Sequence, residues 1–210
     1  MAHIPDGVVT LPVLVTGAVL TVAGCGYALK RLAPERIPQV AMLSAVFFVA
    51  SLVHFPVGPS SVHLILNGLT GVVLGWAAFP AILIALLLQA VLFGFGGVVV
   101  LGVNVMNMAV PAVICGLLFN AVHRRAGDNP KPAVIAAGCC GALGALLTTL
   151  AVALSLAVSG REFLTAAKLV VLTHMPVMVI EAAFTAAAIG LLLRVKPDFI
   201  ARRYPEESVG

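Results

Sequence analysis

PAILIALLLQAVLFGFGG, residues 80–97, contains no charged side chain and one polar side chain, Gln89. Runs like this decide the fold. A helix that crosses hydrocarbon needs about 20 mainly apolar residues at about 1.5 Å each. The whole chain has the same character, with 61% hydrophobic and 10% charged residues and a mean hydropathy of +1.15. Soluble domains average about 45–50% apolar and about 25% charged. Working outward from residues 80–97, the apolar runs predict seven spans, near 10–29, 39–57, 62–77, 80–95, 98–122, 133–158 and 166–194. Only Gly75, Trp76 and Pro80 separate the third from the fourth, and fusing those two gives a six-span reading. No short alternating segments of the kind a β-barrel needs are visible. The expected fold is therefore an all-α membrane protein. It is a compact bundle of seven transmembrane helices in one domain, residues 1–210, with a loop at 1–9 and a tail at 195–210.

Charge sets the orientation. Lys30, Arg31 and Arg36 follow the first span, Arg124, Arg125 and Lys131 follow the fifth, and Arg194, Lys196, Arg202 and Arg203 follow the seventh. Those are ten of the twelve basic residues, with Arg161 and Lys168 on the other side. The positive-inside rule puts the three basic segments in the cytoplasm, so the N-terminus lies outside and the C-terminus inside. Seven spans have the matching parity. The net charge of +4 is spent on orientation and does not point to nucleic acid. MAHIPDG has no basic residue ahead of the first apolar run, so it does not read as a signal peptide.

Three polar features gather at the predicted outer face: MAHIPDG (1–7), HFPVGPSSVH (54–63) and FGFGG (93–97). His3 is the most informative residue. A histidine close to a free amine offers imidazole, backbone amide and amine nitrogens to one ion, a set that suits square-planar Ni(II) or Cu(II). Two registers are open. If Met1 stays, the amine of Met1, the amides of Ala2 and His3, and the His3 imidazole supply four nitrogens. If Met1 is removed, Ala2 supplies the amine and His3 an amide and an imidazole, leaving a fourth position for His63. In the 54–63 link, Pro56, Gly58 and Pro59 stiffen the turn. Ser60 and Ser61 are expected to cap the third span and aim His63 from its first turn.

Further polar residues lie within the runs. Asn104 and Asn107, one helical turn apart, read either as bundle hydrogen bonds or as supports for the N-terminal loop. His174 and Glu181 are seven residues apart on one helix face. Glu181 is the only acidic residue deep in a span, a functional candidate that needs a partner, and Gln89 is another buried polar group. Met106 and Met108 read as packing residues. So do Cys25, Cys115, Cys139 and Cys140, which form no C-x-x-C pair. His123, beside Arg124 and Arg125, reads as a solvated loop residue.

HIPDG, PVGPSSVH, FGFGG through GVNVMNM, and the His174 to Glu181 pattern together resemble the CbiM/NikM family over most of the chain. These are substrate-capture (S) components of energy-coupling-factor ABC transporters for cobalt and nickel. The resemblance implies a seven-helix subunit whose N-terminal loop plugs the bundle from outside. It implies Ala2, His3 and His63 as metal ligands; Asp6, His54, Asn104, Asn107, His174 and Glu181 are the further candidates to support or gate that site. Many members begin Met-His, whereas this chain begins Met-Ala-His, so the register matches once Met1 is removed. His54 stands where many relatives have another residue.

The implied partners are a transmembrane coupling subunit, a pair of cytoplasmic ATPases and a small accessory membrane protein, and the implied location of the chain is the bacterial inner membrane. The implied substrate is Ni2+ or Co2+ for cobalamin or nickel-enzyme synthesis, with no organic cofactor. The chain has no phosphate-binding G-x-x-x-x-G-K-[ST] loop of its own, so it is not expected to be an enzyme. Gly17, Thr21 and Gly24 on the first span are expected to offer close contact to the coupling subunit. Two rival readings are an S component for an organic vitamin and an intramembrane metalloenzyme. One Trp and two Tyr disfavour the first, and the lack of H-E-x-x-H or G-x-S-x-G disfavours the second.

Overall fold

The computed structural model describes residues 3–57, 60–127, 129–160 and 163–201. It is nearly all helical. The helices are α1 (Leu11–Lys30), α2 (Ile37–Ala50), α3 (Asn67–Leu74), α4 (Ala78–Phe93), α5 (Leu101–Ala126), α6 (Pro130–Ser159), α7 (Leu164–Val195) and the short α8 (Asp198–Ala201). A 3-10 turn, Gly75–Ala77, joins α3 to α4. Local chemistry sets many of the ends. Prolines stand in the first turns of α1, α2 and α6, where a missing N–H costs nothing. The Asn129 side chain caps α6 by accepting from the Lys131 N–H at 3.0 Å. Gly94, with φ +67°, closes α4.

Two sequence expectations fail at one place. The second span ends at Ala50, not near residue 57, and a β-hairpin follows, β1 (His54–Val57) paired antiparallel with β2 (Ser60–His63). The third helix begins at Asn67, not near residue 62, so Ser60 and Ser61 are strand residues and do not cap a helix. His63 is the last residue of β2, four residues ahead of α3. β-branched and Pro-rich sequence favours extended backbone here, and the next helix starts only after the chain has docked on α7.

Among the described residues, five segments are long and apolar enough to cross a membrane: Leu11–Lys30, Asn67–Phe93, Leu101–Ala126, Pro130–Ser159 and Leu164–Val195. Asn67–Phe93 counts as one such segment by length, yet it doubles back. Gly96 lies just beyond its far end, and a Cβ there would be 3.5 Å from the Cβ of His3. His63, just before its near end, stacks on His3. A straight 27-residue helix would hold its ends about 40 Å apart. The reversal is at the 3-10 turn, where Trp76 meets Tyr27 near the Lys30 end of α1, with ring centroids 4.6 Å apart.

α3 is the hub, and every residue from Asn67 to Leu74 is buried. Glycines let it in. A Cβ on Gly71 would come 1.8 Å from the Ala112 carbonyl oxygen of α5, and one on Gly68 would come 2.5 Å from that of Cys140 in α6. The small residues of α1 are used inside the chain, which corrects the expectation of a free partner face. A Cβ on Gly17 would strike Val103, one on Gly24 would strike Phe79, and Thr21 donates to the Gly102 carbonyl at 2.7 Å. Cys115 and Cys140 each direct Sγ at the other's carbonyl, at 3.2 and 3.3 Å, and act as packing residues. Cys139 is exposed.

Candidate metal-binding site

The N-terminal segment, β2, the α4–α5 loop, the start of α5, the end of α6 and the first half of α7 converge at one end of the bundle. His3 and His63 meet there with ring centroids 4.9 Å apart and planes 16° from parallel. Both are buried, at 7% and 2% exposure. His63 Nδ1 donates to the Leu64 carbonyl at 2.9 Å, which fixes the tautomer and leaves Nε2 with the lone pair. The ring faces are stacked, so an ion held by both imidazoles requires at least one ring to turn its edge inward.

The backbone beside His3 is clamped. Asn104 Oδ1 accepts from the Ile4 N–H and Asn104 Nδ2 donates to the Ile4 carbonyl, both at 3.0 Å. The side-chain amide thus pairs with Ile4 as a neighbouring strand would. Asp6 Oδ1 accepts from the Val100 N–H at 2.9 Å, and the Asp6 N–H donates to the Gly96 carbonyl at 3.3 Å. The FGFGG run is needed for this close approach. A Cβ on Gly97 would sit 2.1 Å from the Asp6 carboxyl carbon, and Gly96 adopts φ +77°. Ile4 packs with Val9, Val100, Val103, Val152 and Leu156. The Thr10 N–H reaches Ser159 Oγ at 3.4 Å.

The segment after His63 is held from α7. Glu181 accepts from the Ile65 N–H at 2.5 Å and from the Leu66 N–H at 2.9 and 3.1 Å. It is fully buried. Its partner is therefore backbone, 115 and 116 residues away in sequence. The two N–H groups open onto α3, whose leading residue Leu66 adopts φ +51° and lacks a side-chain cap of its own. Glu181 supplies that cap across helices and satisfies non-helical backbone inside the bundle.

The other candidates separate. Asn107 bonds Ser155 of α6 at 3.2 Å, whereas Asn104 bonds Ile4, so these two asparagines of α5 do different work. Gln89 donates to Ser51 at 2.7 Å. His174 is fully buried on the inner face of α7, with Nδ1 donating to the Val170 carbonyl at 2.7 Å. His54 is the backbone partner of His63 in the hairpin. Its side chain, with Met1, Ala2, Arg161 and the tail from residue 202, lies outside the described residues. Among the described residues no three His, Cys, Asp or Glu side chains surround one point.

A family model described as the cobalt uptake substrate-specific transmembrane region, CbiM, matches residues 3–199. The chain belongs to the CbiM family. It is 44% identical over 207 residues to a putative metal transport protein of Haemophilus influenzae, covering 95% of this chain and 97% of that one. It is 30% identical over 223 residues to the fused nickel transport protein NikMN of Rhodobacter capsulatus, covering 96% of this chain and 64% of that one. Among solved structures, a truncated transition metal transporter superposes with a TM-score of 0.75 at 25% identity, covering 91% of this chain and 98% of that one. CbiM family membership and the apolar helices make this a multi-pass membrane protein of transition-metal transport.

Sequence reading missed the two supports contributed by backbone. Nothing in the sequence names Ile65 and Leu66 as partners of Glu181. The pairing of Asp6 with the N–H of Val100 is equally non-local, although the double glycine at 96–97 marks a close backbone approach there.

Proposed function

We propose that this chain is the substrate-capture subunit of an energy-coupling-factor transporter and that it takes up Ni2+ or Co2+. The stacked His3–His63 pair, with its flanking backbone fixed by Asn104, Asp6 and Glu181, carries this reading. In it, the amine of Ala2 after loss of Met1, the amide and imidazole of His3, and the imidazole of His63 bind one ion. Nitrogen donors with one deprotonated amide favour square-planar Ni2+ in the first-row series, while geometry and supply govern Co2+. His54, Asn104, Asn107, Asp6, His174 and Glu181 support or gate the site.

In the same reading the chain makes seven passes, with the N-terminus outside and the C-terminus in the cytoplasm of a bacterial inner membrane. The reversal at Gly75–Ala77 and the gathering of Lys30, Arg124 and Arg194 at the opposite end from His3 support it. The chain works without an ATPase of its own, alongside a membrane coupling subunit, cytoplasmic ATPases and a small accessory protein. The delivered ion serves cobalamin or nickel-enzyme synthesis.

Thermal unfolding of the purified chain tests the substrate class. A ligand at a hundred times its Kd stabilises the folded state by about 2.7 kcal/mol. Ni2+ or Co2+ is expected to raise Tm where Mg2+ and water-soluble vitamins do not. Stabilisation by a vitamin alone would replace the metal reading.

A further inference from the structure

At the end of the bundle away from His3, an open groove of about 590 Å³ runs between the start of α6 and the end of α7. Ala186 and Gly190 leave room along α7, and Ile135 and Leu191 border the groove with most of their surface exposed. Lys131 and Arg194 also line it, both exposed, and among the described residues no acidic side chain does.

We infer that this groove is a binding site for a phospholipid with an anionic headgroup. The lining is divided by chemistry. The apolar part suits an acyl chain, and the bundle's own side chains leave it uncovered. The two cations stand at the terminal turns, Lys131 in the first turn of α6 and Arg194 in the last turn of α7. Long basic side chains at helix ends reach the headgroup level while their stems stay on apolar surface. A phosphodiester between them gains from both charges, whereas a zwitterionic headgroup brings its own cation and gains less. Basic pockets between membrane helices recognise anionic headgroups on this principle. An apolar protein helix would fill the groove but leave Lys131 and Arg194 without a counter-charge. The site is separate from His3 and His63 and does not depend on which metal the chain carries.

Native mass spectrometry of the full chain in detergent tests this, with phosphatidylglycerol and phosphatidylcholine of matched acyl chains as probes. The wild type should prefer phosphatidylglycerol by roughly thirtyfold if the two cations act additively. Lys131→Gln with Arg194→Gln should lose that preference and keep the weaker binding of phosphatidylcholine. Gly190→Leu should reduce binding of both lipids. A Cβ at position 190 meets only ordinary contacts, 3.5 Å from Val134, so the variant is expected to fold. Unchanged helical content and unchanged Ni2+ or Co2+ affinity serve as the fold control. Equal binding of the two lipids by wild type, or a preference that survives the double substitution, would overturn the proposal. So would undiminished lipid binding by folded Gly190→Leu.

Discussion

The two ends of this bundle are built differently. At the His3 end, side chains grip backbone: Asn104 holds Ile4, Asp6 holds Val100 and Glu181 holds Ile65 and Leu66. At the Lys30 and Arg194 end, ordinary helix termination prevails, with Pro130, the Asn129 cap and exposed basic side chains. Irregular backbone is costly inside a membrane protein unless its N–H and C=O groups are satisfied. The His3 end accepts that cost at three places and compensates each with a polar side chain, buried for Asn104 and Glu181 and exposed for Asp6. Such an arrangement fixes a few backbone atoms in place, which a small ion with directional ligands requires and a mere helix connector does not.

This contrast is open to attack in order of effect. Glu181→Leu should be the most damaging. It leaves two buried N–H groups without an acceptor, at about 1–3 kcal/mol each, and should lower Tm as well as metal affinity. A thermal scan that matches wild type would mean that Glu181 does not hold the hairpin exit. Asn104→Leu should weaken metal affinity by roughly 10–100-fold, the range for supports one step behind a ligand, while helical content is retained. Isothermal titration separates that result from simple unfolding. Gly97→Ala, which forces Asp6 away, should cost roughly tenfold in affinity on the same grounds. Acid should weaken binding too, because imidazole and amide nitrogens bind a metal only without the proton they would otherwise carry. Affinity that is flat from about pH 8 to about pH 6 would count against imidazole and amide ligation. Arg125→Gln at the basic end should change affinity by less than about twofold, since a charge more than a Debye length of about 10 Å away is screened. An equal loss there would erase the distinction between the ends.

Much of the fold was legible because apolar runs and flanking charges are local signals. α1, α5, α6 and α7 fall within a few residues of their expected ranges. The 51–66 region was not legible, because its conformation is decided elsewhere. β1 and β2 pair with each other, and α3 begins only where Glu181 receives Leu66, 115 residues away. Histidine, asparagine and the glycine pair stood out in sequence as polar or flexible residues in apolar surroundings. Which backbone atom each one meets depends on packing. Gly17 and Gly24 illustrate the converse. Their small size was visible, but not that Val103 and Phe79 of the same chain fill the space.

Metal content and affinity of the purified wild type, set beside His3→Ala and His63→Ala with the N-terminal residue identified by mass, test whether these two histidines and the N-terminus hold the ion. Ni2+ or Co2+ should copurify with a chain that starts at Ala2, and each substitution should weaken binding by more than about a hundredfold, as expected when one ligand of a four-nitrogen chelate is lost. Unchanged binding in both variants would mean that neither His3 nor His63 is a metal ligand.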